Sequence, residues 1–124
     1  MLSHILAPLD HTFADERSTV DKVLTAEAWV NSRLKREITL EEWAQAVGLN
    51  PVYFGRIFKR ETGLRPMEWL NQRRLQMGSQ YLSSTRKSVA EIAELCGFAD
   101  QFYFSRVFKR HFGQPPLHYR KARF

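Results

Sequence analysis

Apolar positions along this chain come in short helical runs, each bounded by capping and turn residues. The first run begins at Ser18 or Thr19 and carries Val20, Val23, Leu24, Val30 and Leu34 at approximately helical spacing. Before it, Pro8, Asp10, His11, Asp15 and Glu16 are mixed with scattered apolar residues without a sustained period. Residues 1–17 are therefore expected to form a loosely ordered N-terminal arm or the remnant of a linker.

The next runs are two copies of one pattern. The segment Thr39 to Trp69 returns, about 50 residues later, as Ser88 to Tyr119. Glu42, Ala44 and Gly48 recur as Glu91, Ala93 and Gly97. After one inserted residue, Tyr53, Phe54, Arg56, Phe58, Lys59, Arg60, Gly63 and Pro66 recur as Tyr103, Phe104, Arg106, Phe108, Lys109, Arg110, Gly113 and Pro116. Thr39 with Glu42, and Ser88 with Glu91, have the spacing of capping boxes, in which a hydroxyl and a carboxylate satisfy backbone donors left open at a helix start. A short helix then stops near Gly48 or Gly97, where a residue without Cβ can turn left-handed. Asn50 before Pro51, and Asp100, cap a second helix a few residues on. Each copy thus reads as helix, glycine turn, helix.

The second helix of each copy has two opposed faces. Phe54, Ile57 and Phe58, and likewise Phe104, Val107 and Phe108, fall at i, i+3 and i+4 and form an apolar stripe suited to a core. The other side carries Val52, Gly55, Arg56 and Lys59 in the first copy and Phe102, Ser105, Arg106 and Lys109 in the second. A packed side opposite an arginine-bearing side, entered through a capped N-terminus, is what a reader of the DNA major groove requires. Between the copies, residues 66–83 form a helix whose Trp69, Leu70, Leu75, Met77, Tyr81 and Leu82 are not confined to one stripe, so it must be covered on more than one side. It is expected to act as a strut between the lobes. Gly78 inside it costs about 1 kcal/mol relative to alanine, and a close helix approach would compensate. A last short helix starts at Pro115 or Pro116 and runs through Tyr119. The expectation is an all-α fold of about seven helices: a first helix-turn-helix unit over 18–65, the linker helix, and a second unit over 84–124.

Charge sharpens this picture. With 19 Lys and Arg against 13 Asp and Glu, the formal net charge of the 124 residues is +6, which favours a polyanionic partner without identifying it. A chain of this length holds one ordinary domain or two very small ones, and no room remains in it for an independent sensing domain. One cysteine excludes an internal disulfide and any zinc site built on cysteine pairs. No apolar run is long enough to span a bilayer, and Met1 to Pro8 lacks the basic flank and long apolar core of a secretory signal, so a cytoplasmic, nucleoid-associated protein with no membrane partner is expected.

The second copy, "SVAEIAELCGFADQFYFSRVFKRHFGQPPLHYR", resembles the DNA-binding domain of the AraC/XylS family of bacterial transcription regulators. Ile92, Ala93, Gly97, Phe98, Tyr103, Phe104, Arg106, Phe108, Lys109, Gly113, Pro116, Tyr119 and Arg120 stand where the family signature places them. The first copy, "ITLEEWAQAVGLNPVYFGRIFKRETGLRPMEWL", with Arg74 and Leu75 after it, agrees with the corresponding positions, and the resemblance spans roughly Val20 to Arg120. It implies binding of double-stranded promoter DNA, with two recognition helices in major-groove segments about 34 Å apart. DNA bending or imperfect insertion of one helix, at a cost of a few kcal/mol, is then expected.

The resemblance also implies roles. Arg56 and Arg106 match DNA-contacting positions and can bond guanine O6 and N7 in a bidentate manner; phosphate contact or an internal ion pair is the alternative for each. Val52 and Phe102 can touch thymine methyl groups, Phe102 alternatively packing under a loop, while Gln101 and Ser105 offer hydrogen bonds to bases or phosphates. Gly55 leaves its base-facing position without a side chain, so the first helix should discriminate less. Lys59, Arg60, Lys109 and Arg110 are candidates for phosphate contacts. The resemblance also implies activation through contact with RNA polymerase, with repression the alternative, and the family often adds an N-terminal sensing domain; a small-molecule effector is expected here only if a parent protein carries such a domain.

Other classes of function fit less well. Similar domains occur fused to alkyl-transfer repair modules with a cysteine nucleophile, but Cys96, beside Leu95 and Gly97, reads as a small buried hydrophobe. His4, His11, His111 and His118 have neither metal-ligand spacing nor an accompanying carboxylate motif, so no metal, cofactor or catalytic residue is expected and the chain is not read as an enzyme. A basic adaptor that docks onto another protein is the remaining rival.

Overall fold

The computed structural model describes the backbone of residues 2–123 and the side chains of residues 17–123. Among the described residues the regular structure is helical throughout, in seven elements: α1 (Leu2–Asn31), α2 (Leu40–Ala46), α3 (Pro51–Thr62), α4 (Pro66–Ser84), α5 (Val89–Leu95), α6 (Gln101–Phe112) and α7 (Pro116–Arg123). They form two compact units, one made of Met1–Asn31 with Leu40–Pro66, the other of Ser32–Thr39 with Met67–Phe124.

One expectation needs correction. Helix α1 starts at Leu2 rather than at Ser18 or Thr19, so the stretch read as a loose arm is helical in its backbone. An apolar period reports a face to bury, whereas helix propagation rests on backbone hydrogen bonds, which every residue of this stretch except Pro8 can donate. Helix α4 ends one residue beyond the expected span, and α7 continues past Tyr119 to Arg123.

In the first unit Val23, Ala26 and Val30 of α1, Trp43 and Ala44 of α2, and Phe54, Ile57 and Phe58 of α3 are buried. Trp43 is the keystone. Its indole stands edge-on to Phe54 and Phe58 at centroid distances of 5.3 and 5.2 Å, and its Nε1 donates to Ala26 O at 2.9 Å. The one polar atom of the ring is thereby satisfied inside an apolar setting. Arg60 of α3 donates from a guanidinium nitrogen to Thr19 Oγ1 of α1 at 2.8 Å, fastening these two helices to each other.

The second unit fills its core differently. Leu75 and Leu82 of α4 pack with Ile92, Ala93, Cys96, Phe98, Phe104, Val107 and Phe108, and Phe112 and Tyr119 lie half-buried against them. Phe98, Phe104, Phe108 and Tyr119 form a run of ring contacts between 5.1 and 5.6 Å. The close approach expected at Gly78 is present: a Cβ there would stand 2.9 Å from Phe104 Cε1, so only a glycine lets that ring lie on the α4 backbone. Two arginines donate to backbone carbonyls distant in the chain. Arg120 donates to Leu82 O and Thr85 O beyond the last turn of α4, each at 3.1 Å. Arg74, buried, donates to Leu34 O at 3.2 Å and Arg36 O at 2.6 Å.

Candidate nucleic-acid interface

The two candidate reading helices are twelve residues each and are bounded by the same chemistry at both ends. At the start of α3, Asn50 is extended and its Oδ1 accepts from Tyr53 N at 2.9 Å, with Pro51 in the first helical position. At the start of α6, Asp100 does the same for Tyr103 N at 2.7 Å. The carboxylate adds a charge-assisted bond at the positive end of the helix dipole. Both helices stop at a glycine in the left-handed region, Gly63 at φ 84° and Gly113 at φ 83°, whose N–H returns to Lys59 O or Lys109 O at 2.8 Å. Ahead of α6, the Ser88–Glu91 capping box on α5 is complete, with Ser88 N donating to Glu91 Oε1 at 2.9 Å and Glu91 N to Ser88 Oγ at 3.1 Å. Hydrogen bonding from the Ser88 backbone N–H first, and from the Ser88 side chain second, holds the Glu91 carboxyl below its usual range. Gly48 and Gly97 take the left-handed turns between the helices, at φ 74° and 83°.

With the ends fixed, the faces divide as the apolar spacing predicts. Phe54, Ile57 and Phe58, and Phe104, Val107 and Phe108, are the buried residues of their helices. Val52 is 73% exposed and Phe102 69%, so Phe102 does not pack under a loop. Two large apolar side chains are held in solvent at matching places beside the helix starts. Arg56, Lys59, Gln101, Arg106, Lys109 and Arg110 are exposed, and Ser105 is half-exposed. A Cβ at Gly55 would meet nothing within 4 Å, so that place is open on the same side.

The arginines differ in their surroundings. Neither Arg56 nor Arg106 is drawn into an ion pair among the described residues. Arg106 lies over the Tyr103 ring, 5.6 Å from its centroid, and Asn71 Nδ2 of α4 donates to the Tyr103 hydroxyl at 3.2 Å. Tyr103 is marked in the sequence by the repeat, whereas nothing local points to its bond with Asn71. Arg60, a phosphate candidate, is partly engaged by Thr19 and by Glu61 Oε2 at 3.2 Å while remaining 56% exposed at its side chain. Lys59, Lys109 and Arg110 carry no such internal bond among the described residues, and all lie in the last turn, where a cation also favours the negative end of the helix.

The remaining candidate chemistry lies elsewhere. Cys96 is fully buried, and desolvation pushes its thiol up to about 12, against the opposing influence of Arg74 and Lys35. Such a thiol stays protonated and packs; it is not an available nucleophile. No group of three His, Cys, Asp or Glu among the described residues is arranged to hold a metal ion. No helix among them is long and apolar enough to cross a membrane.

Comparison with known proteins places this geometry. A family profile described as "Helix-turn-helix domain" matches residues 43–122. The chain is 36% identical over 96 residues to the HTH-type transcriptional activator RhaS of Klebsiella pneumoniae, covering 77% of this chain and 34% of that protein. It is 30% identical over 114 residues to the Msm operon regulatory protein of Streptococcus mutans, covering 92% of this chain and 41% of that protein. It thus spans about a third to two-fifths of the curated relatives. Among solved structures, the C-terminal domain of AraT, a response regulator from Geobacillus stearothermophilus, superposes with a TM-score of 0.80 at 33% identity, covering 83% of this chain and 86% of that one. The DNA-binding domain of AdpA, solved in complex with a target DNA, superposes with a TM-score of 0.78 at 29% identity, covering 81% and 90%.

Proposed function

The chain belongs to the AraC/XylS family of helix-turn-helix proteins, and we propose that it binds double-stranded promoter DNA sequence-specifically, presenting α3 and α6 to successive major-groove segments. The observation that carries this reading is the duplicated outer face: an exposed apolar residue and, four positions on, an exposed arginine, on each of two capped helices whose opposite sides are buried.

Arg56 and Arg106 are assigned to base edges, where an arginine can pair with guanine O6 and N7. Val52 and Phe102 meet thymine methyl groups, and Gln101 and Ser105 bond bases or nearby phosphates. Lys59, Lys109 and Arg110 grip phosphates, with Arg60 contributing less because part of its guanidinium is bonded to Thr19. Transcription activation through contact with RNA polymerase in the bacterial cytoplasm is the accompanying proposal, supported by the relative named as an activator. A small-molecule effector enters the proposal only for a longer protein that joins this chain to a sensing domain.

A selection from random duplexes of about 25 base pairs, near physiological salt, tests the reading. Two enriched blocks about one helical turn apart are expected. Recovery of no preferred sequence, with binding governed by salt alone, would contradict it and leave a general polyanion binder or an adaptor for another protein.

A further inference from the structure

We propose that Asn71 and Tyr103 are positioning residues for Arg106, and that they make the second unit the sharper reader of a guanine-bearing base pair; this rests on the DNA-binding reading above. Arg106 follows Tyr103 by three residues on α6, which puts the two side chains on neighbouring positions of one face. The guanidinium carbon lies 5.6 Å from the ring centroid, within the range over which an aromatic face attracts a cation. The ring is itself held. Asn71 Nδ2 donates to its hydroxyl at 3.2 Å, and its centroid lies 6.0 Å from that of Phe98, which is buried.

This support matters because a guanidinium reads guanine only when two of its donors are aligned with O6 and N7 together. A long side chain free in solvent loses rotamer freedom when it is fixed in that arrangement, and a support already in place reduces the loss. The first unit has the same spacing, Tyr53 and Arg56, without the support: neither side chain meets a ring, a carboxylate or a hydrogen-bond partner among the described residues. One repeat therefore offers a braced arginine and the other an unbraced one.

The test measures affinity for a selected site and for variants of that site with each base pair changed in turn. It is run on the unmutated chain and on Arg106→Ala, Tyr103→Leu, Tyr103→Phe and Asn71→Ala, with binding to a random duplex and the thermal midpoint followed alongside. Arg106→Ala should abolish discrimination at one guanine position. Tyr103→Leu should lower discrimination at that position alone by about 5-fold, and Tyr103→Phe and Asn71→Ala by about 2-fold, with random-duplex affinity unchanged. Full discrimination in Tyr103→Leu, where Arg106→Ala has lost it, overturns the positioning role and leaves the DNA-binding reading intact. Equal weakening on every duplex also overturns it, by making Tyr103 a phosphate contact. If Arg106→Ala changes no position, the base-reading assignment falls and this inference falls with it.

Discussion

The two helix-turn-helix units share a frame and differ in what fills it. Their second helices have equal length, buried triplets at the same spacing and left-handed glycine stops whose φ differs by a degree. Beneath that frame, Trp43 of α2 is the largest side chain of the first core, whereas the equivalent place in the second is Ile92, and ring volume is added there by Phe98 in the turn and by Phe112, where the first copy has Leu49 and Thr62. The binary pattern is enough to place a helix with one side in and one side out, while the jigsaw beneath it has more than one solution. The outer faces diverge as well: Gly55 and an unbraced Arg56 in the first unit, Ser105 and an Arg106 laid over Tyr103 in the second.

Truncating the keystones should break the comparison most strongly. Trp43→Ala should cost about 3 to 5 kcal/mol in urea unfolding, more than Ile92→Ala at the equivalent place, because the ring contacts to Phe54 and Phe58 and the bond to Ala26 depend on one side chain. The turn glycines come next. A Cβ at Gly97 would run into Leu34 O and stand 2.9 Å from Arg74 Nε, whereas one at Gly48 would come no nearer than 3.7 Å to Lys22 Nζ. Gly97→Ala should therefore cost about 3 kcal/mol or more, combining left-handed strain with overpacking, and Gly48→Ala about 1 to 2 kcal/mol from strain alone.

Gly55→Ala runs in the other direction. It fills open space in a helix interior and should stabilise the first unit by about 0.5 to 1 kcal/mol. Gly55→Gln sharpens the comparison further, since it adds a hydrogen-bonding side chain on the face proposed to read bases and should raise discrimination in the first block. The smallest effect concerns the Ser88–Glu91 box. Because its bonds hold the Glu91 carboxyl below the usual value in the folded state, their stabilisation is present above the ordinary carboxylate range and is lost as pH falls through the depressed value. The stability difference between the unmutated chain and Glu91→Ala should accordingly shrink on acidification, as read from unfolding midpoints across that range.

Most of the frame was legible in the sequence because backbone chemistry at helix ends has a short-range signature. Asn50, Asp100, Ser88 with Glu91, and the glycines at 48, 63, 97 and 113 announce their roles within three or four residues. Comparing the two copies separated the core stripes from the outer faces. What stayed hidden is non-local or carries no pattern. The bonds of Arg60 to Thr19, Arg74 to Leu34 and Arg36, and Asn71 to Tyr103 join residues 32 to 41 apart, and no spacing encodes them. The helical backbone before Ser18 was missed because helix propagation there leaves no apolar period to read.

The proposed unequal reading of DNA by two matched units is tested most directly by a single-base-pair scan of affinity across a selected site, repeated with Arg56→Ala and Arg106→Ala. Two blocks should emerge, the deeper one losing about 1 to 3 kcal/mol of discrimination at a guanine position in Arg106→Ala and the shallower one responding less to Arg56→Ala. Blocks of equal depth, or a deeper block that answers to Arg56, would contradict the account.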